Sequence, residues 1–331
     1  MHSDAVLWIV VGTAIAFDFT NGFHDTANAI ATSVSTRAMT PRVAVAMSAT
    51  LNFVGAFLSL QVAATIAKGI VDAGSVTLLT VFAGLIGAIA WNLATWALGL
   101  PSSSSHALIG GMVGATIAAQ GTGAVLWDGI IEKVAVPALV APLLALTAAG
   151  TAILIIYRIV GRQSPGVVSR GFRVGQMLSG ALFSLSHGTN DAQKTMGIIF
   201  LALVANGNLS SSADVPVWVI VSSATAIALG TYVGGWRIIR TMGSRIIKMD
   251  PAQGFAAQGV GAAVILSASH VGFPLSTTHV ISGGIMGAGA AKRVSAVRWG
   301  VAGNIVVAWV LTIPAAAVVA AVLYWPVQAV F

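Results

Sequence analysis

The chain has 331 residues, of which 57% are apolar and only 8% are Asp, Glu, Lys or Arg, with a formal charge of +7. Its mean hydropathy is +0.92. Soluble domains carry about 25% charged residues. A chain this poor in charge cannot cover a water-facing surface, which excludes a soluble enzyme, a nucleic-acid binder and a disordered tail. Apolar runs of about 20 residues then make it an all-α polytopic membrane protein. Cysteine is absent, so disulfides and thiol-ligated metals are excluded. Met1-His2-Ser3-Asp4 lacks a basic leader, so no cleaved signal peptide is expected.

In chain order, the apolar pattern predicts crossings at 5–36, 43–66, 130–157, 174–205, 217–236 and 300–325. Regions 77–120 and 252–291 are interrupted by Pro and hydroxyl clusters and read as re-entrant helical hairpins. The basic residues fall in four groups between these elements. They are Arg37 and Arg42; Arg158, Arg162, Arg170 and Arg173; Arg237, Arg240, Arg245 and Lys248; and Lys292, Arg293 and Arg298. The predicted topology puts all four groups on one face and leaves Lys68 and Lys133 on the other. By the positive-inside rule the basic face is cytoplasmic and both termini are extracytoplasmic, in the cytoplasmic membrane. The charge of +7 is thus an orientation signal and not evidence for an acidic partner. The interior keeps Lys194 against Asp18, Asp25 and Asp191.

An internal repeat organises the chain. Residues 101–115, PSSSSHALIGGMVGA, match 274–288, PLSTTHVISGGIMGA, at Pro, one Ser, His, three Gly and the final Ala. Asn21–Asn28 pairs more weakly with His187–Lys194, through Gly22 with Gly188 and Asp25 with Asp191. Three crossings precede the second copy, so the copies insert upside-down relative to each other. Residues 1–157 form the first inverted repeat, 158–173 a cytoplasmic connection and 174–331 the second. Inverted repeats with broken helices at the midplane are a secondary-transporter architecture.

Two kinds of cluster carry chemistry. Asn21, His24, Asp25 and Asn28 make a polar stripe at helical spacing, echoed by His187, Asn190, Asp191 and Lys194. A carboxylate at the centre of a span costs about 3 kcal/mol, so both should face the protein interior or a cavity. Carboxylate and amide oxygens suit a proton or a hard cation such as Na⁺ or Mg²⁺. A structural hydrogen-bond knot is the rival reading, and Lys194 can serve simply to neutralise Asp191. Asp18 has no counterpart, since Ser184 occupies its position in the second copy. It stays open between a site role and the water interface. The second cluster is Ser103, Ser104 and Ser105, mirrored by Ser276, Thr277 and Thr278. Each precedes a Gly-rich helix whose N-terminus exposes unpaired N–H groups, an anion site. His106 and His279 read as structural hydrogen-bonders.

At these residues the sequence resembles the PiT family of inorganic phosphate transporters, whose duplicated signature Gly-Ala-Asn-Asp-x-Ala-Asn is similar to Gly22–Asn28 and Gly188–Lys194. The resemblance covers nearly the whole chain. It implies symport of inorganic phosphate by an inverted-repeat carrier that acts as a homodimer, with no enzymatic activity, cofactor or nucleic-acid partner. By position, it implies that Ser103–Ser105 and Ser276–Thr278 contact phosphate. Asp25, Asn28, Asn190 and Asp191 would serve the coupling ion, with Asn21, His24 and Lys194 beside them. The coupling ion is H⁺ or Na⁺, and phosphate can travel with Mg²⁺ or another divalent metal. Lys194 departs from the Asn of the general pattern and matches the proton-coupled bacterial subgroup. A sulfate permease of the same fold is the first alternative. A membrane phosphatase and a passive anion channel are remoter ones.

Overall fold

A membrane helix must be apolar outside and must hide whatever polar groups it carries. Both demands are visible in the computed structural model, which describes residues 2–330. In the first half, α1 (His2–Ser35), α2 (Pro41–Gly55), α3 (Gln61–Gly69), α4 (Leu78–Leu98) and α5 (Ser104–Gln120) precede α6 (Trp127–Ile130). A π-helical turn joins α6 to α7 (Val136–Val160). The second half holds α8 (Pro165–Ala205), α9 (Val217–Val233), α10 (Trp236–Arg240) with its own π-helical extension, α11 (Pro251–His270), α12 (Thr277–Lys292) and α13 (Trp299–Val330). No strand is formed among the described residues beyond one isolated bridge, Val71 with Val125.

By length and composition, four helices among the described residues can cross a membrane: Asp4–Ser35, Leu78–Leu98, Trp127–Val160 and Trp299–Ala329. Helix α9 and the α10 segment, bent by 58°, make up a fifth if counted as one broken span. At 41 residues α8 is long enough, but its polar run near the middle dilutes it.

Two boundaries differ from the sequence expectation. The predicted continuous crossing at 43–66 is divided into α2 and α3. The N–H groups of Ala56, Phe57 and Leu58 fall back on the carbonyls of Asn52, Val54 and Gly55, which tightens and ends α2. Hydropathy does not register such a break, because the residues on both sides stay apolar. The 158–173 connection shrinks to 161–164, because Ser164 followed by Pro165 at the first helical position starts α8 early.

The halves interlock through glycine. Gly110 and Gly114 of α5 lie against the backbone of Ile313 and Ala317 in α13, and Gly283 and Gly287 of α12 lie against Pro142 and Leu146 in α7. A Cβ at any of the four would overlap a carbonyl oxygen. The same exchange joins α1 to α9, where Gly22 meets Ile227 and Thr231, and α8 to α2, where Gly188 meets Asn52. Each hairpin therefore packs on the last helix of the other half. Trp127 and Trp299 both donate their indole N–H five residues back, to Thr122 O at 3.1 Å and Val294 O at 3.0 Å. The segments bearing the four basic groups meet at one end of the bundle. Thr36 bonds Gln176, Tyr157 and Lys292 share Asp250, and Arg298 reaches Ser244.

Candidate functional site

Each hairpin turns at a glycine with positive φ, Gly99 at +66° and Gly272 at +82°. Ser103 then caps α5 by accepting from the His106 N–H at 3.1 Å, and Ser276 caps α12 by accepting from the His279 N–H at 3.3 Å. The two tips meet. Ser105 Oγ donates to Leu275 O at 3.2 Å, and the His106 and His279 rings stand edge to face at 4.7 Å. His279 also stacks on Trp309 at 4.1 Å.

Helices α1 and α8 carry the carboxylates past these tips. Asp25, His187 and Asp191 each place a ligand-capable atom within 4.8 Å of the others, and all three are buried. Two ionised carboxylates at that separation repel by roughly 3 kcal/mol at an effective dielectric of 20. The surroundings offset this. His24 Nδ1 lies 2.7 Å from Asp25 Oδ1, and its Nε2 meets the hydroxyls of Thr95 and Ser102 at 3.1 and 3.3 Å. Thr278 donates to Asp25 at 3.5 Å, and Thr277 donates to Asp191 at 3.3 Å. Asn28 donates to Thr277 and Thr278 at 3.3 and 2.8 Å.

Lys194 sits at the centre of this arrangement and is 1% exposed. Its ammonium forms an ion pair with Asp191 and donates to Ser105 Oγ at 2.5 Å and to Leu275 O at 2.8 Å. One cation therefore bridges a carboxylate and both hairpin tips. The neutralisation of Asp191 foreseen at spacing i+3 is present, and the bridge between the tips is additional.

The other candidates divide. Ser104 joins the site through His24 Nδ1 at 3.3 Å. Asn190 does not reach the carboxylates by its amide nitrogen, which holds Ser269 Oγ at 2.8 Å and Phe273 O at 3.1 Å behind the second tip. Asn21 is buried with its Oδ1 unpartnered. Asp18 is fully buried inside the protein. Sequence reasoning placed His187 in the polar stripe with Asp191 but gave no role to Asn52 and Thr231 behind it. His187 Nε2 stands 3.1 Å from Asp191, its Nδ1 is 3.0 Å from Asn52 Oδ1, and Asn52 donates to Thr231 at 2.8 Å. Asn52, the one amide in the mostly apolar α2, was the available signal.

Comparison with known proteins points the same way. The model of the phosphate transporter family matches residues 21–320. Relatives described as a probable low-affinity inorganic phosphate transporter include one from Mycobacterium bovis, 59% identical over 96% of this chain and 77% of its own. One from Rhizobium meliloti is 51% identical over 96% of this chain and 95% of its own, and one from Bacillus subtilis is 46% identical over 98% and 97%. A solved structure described as the sodium-dependent phosphate transporter is similar at TM-score 0.84 and 25% identity, covering 99% of this chain and all of that one.

Proposed function

The chain belongs to the phosphate transporter family, and from that premise we propose that it carries inorganic phosphate by proton-coupled symport and alternating access. The observation that carries the reading is the convergence of two hydroxyl-rich helix N-termini on one buried, partly neutralised pair of carboxylates. Phosphate binds between the tips, taking hydrogen bonds from Ser103, Ser104, Ser105, Ser276, Thr277 and Thr278 and from the exposed N–H groups of α5 and α12. No covalent step is needed, so the protein is a carrier and not an enzyme.

Coupling follows from charge. Asp25 and Asp191 oppose an entering anion. Lys194 already supplies the cation beside Asp191, in the position that Asn28 holds beside Asp25. A proton shared with His24 or His187 lowers the remaining negative charge, and the loaded site can then cross. Asn28 and Asn190 hold the tips in register with the carboxylates. Asp25, His187 and Asp191 also form an oxygen and nitrogen donor set for a divalent ion arriving with phosphate as cargo. In this reading α4–α5 and α11–α12 are re-entrant hairpins that enter from opposite faces of the cytoplasmic membrane. Rocking of one interlocked half against the other gives alternating access.

The test is uptake of labelled phosphate into proteoliposomes under imposed pH and Na⁺ gradients, with and without Mg²⁺. Accumulation driven by an acidic exterior is expected. Accumulation driven by Na⁺ alone would reject proton coupling. Efficient competition by sulfate would favour a general oxyanion carrier, because only a protonated phosphate can donate a hydrogen bond to Asp25.

A further inference from the structure

Three acids are buried among the described residues, and the site above uses only Asp25 and Asp191. The third, Asp18, lies two turns before Asp25 on α1, about 10 Å along the helix axis. Neither of its oxygens has a hydrogen-bond partner within 3.5 Å. Asn21 on the same helix and Thr195 on α8 stand beside it as its hydrogen-bonding neighbours, at longer reach. Asn21 Oδ1 and Thr195 Oγ1 are buried and unpartnered as well. Four orphaned oxygens thus surround one point between α1 and α8.

An ionised carboxylate that is fully buried and served only by two neutral neighbours, Asn21 and Thr195, is strongly unfavourable in a dry interior. A protonated one resolves the whole cluster. Its O–H donates to Asn21 Oδ1, and its other oxygen accepts from the Thr195 hydroxyl. A single proton therefore satisfies three side chains, and it needs no cavity. The charged groups facing Asp18 are Asp191 and Lys194 on α8. The other helices packed on α1 add little. Helix α4 has no titratable residue, and α2 has only Arg42, in its first turn at the basic end. Tyr232 of α9 is exposed, His106 of α5 faces Lys194, and His279 of α12 faces His106. His270 of α11 and Lys292 of α12 lie at helix ends, and Arg237, Arg240 and Arg245 lie at the basic end.

We propose that Asp18 is a second proton-binding site of the transport cycle, set apart from the phosphate site and linked to it through Lys194. Loss of its proton creates an anion that competes with Asp191 for the Lys194 ammonium. That weakens the bridge from Lys194 to Ser105 and Leu275 which ties the tips together. The proton on Asp18 thereby favours the closed, loaded tips. The inference rests on the proton-coupled reading above.

Proteoliposomes test it with two assays. One is phosphate–phosphate exchange without a gradient, and the other is accumulation driven by pH. Each coupled proton supports about tenfold accumulation per pH unit, the ratio equivalent to 1.4 kcal/mol. Asp18→Asn should keep exchange and lose one such factor, and Asp18→Glu should keep both. Wild-type accumulation by Asp18→Asn would overturn the proposal. So would loss of exchange in a folded Asp18→Asn protein, or loss of Na⁺-driven accumulation in its place. If Asp18→Asn does not fold, Thr195→Val supplies the readout. It should move the pH midpoint of gradient-driven uptake with exchange intact, and an unmoved midpoint overturns the assignment. Wild-type protein that fails to exchange phosphate would reject the transport reading itself. Wild-type exchange without any pH response would reject proton coupling and the Asp18 site together, and leave phosphate transport standing.

Discussion

Lys194 combines a charge, a position in the repeat and three bonds in one side chain. Burying an ammonium is tolerable only because Asp191, Ser105 and the Leu275 carbonyl receive it. Lys194→Ala should therefore cost about 3–5 kcal/mol, the range for breaking a buried pair and stranding its partner. The double change Lys194→Met with Asp191→Asn removes both charges. It should recover much of the thermal stability in detergent without recovering uptake. A single variant that melts like wild type would show that the pair is not coupled. Lys194→Asn tests function rather than stability. It recreates at Asp191 the arrangement seen at Asp25 and Asn28, so residual uptake should become Na⁺-stimulated. Both carboxylates and the lysine were identifiable from sequence, by their spacing and by their recurrence. That Lys194 also spans to both tips was not, because Ser105 and Leu275 are 89 and 81 residues away.

At the scale of elements, the bent pairs matter most. The α10 segment braces the first tip. Arg237 donates to Ala97 O at 2.6 Å, and Thr241 donates to Gly99 O at 2.9 Å. Helix α3 stands beside the second tip, where Gly272 approaches Gln61 O and Thr65 Oγ1. Each brace comes from the half that does not own the tip it holds. The hairpins themselves were legible, because Pro, Ser caps and Gly punctuate them. The α2–α3 break was not, because no Pro or charge marks 56–60. Close packing gives a direct test. Gly114→Ala or Gly287→Ala puts a methyl group into a neighbouring backbone and should cost about 1–3 kcal/mol. Gly303→Ala meets nothing within 4 Å and should be neutral or gain roughly 0.5–1 kcal/mol of helix propensity. Equal melting temperatures for all three variants would defeat the packing argument. Ser103→Ala should remove the α5 cap at a cost of about 1 kcal/mol, read in the same assay.

For the whole molecule, orientation in the membrane has a direct test. The chain has no cysteine, so single cysteines report sidedness against a silent background. Gly166, in the first turn of the long helix α8, and Ser211, beyond its last turn, are both exposed. With the basic end cytoplasmic, Ser211→Cys should label in intact cells with an impermeant thiol reagent, and Gly166→Cys should label only after permeabilisation. The reverse pattern would invert the topology and place both termini inside.

The sequence by itself determined the class, the repeat and the polar residues worth attention. Hydropathy and charge placement are sums over local runs, and recurrence can be read without coordinates. Tertiary structure decided which of those residues share one space. It drew Asp25, Asp191, Lys194 and the two hydroxyl tips together, and turned Asn190 toward Ser269. It also moved Asp18 from an open question to a buried acid facing Asn21 and Thr195. The physical reason is the same in each case. Helical spacing fixes the face a residue shares with its own neighbours, but the partner across an interface is set by where close glycine contacts let two helices meet.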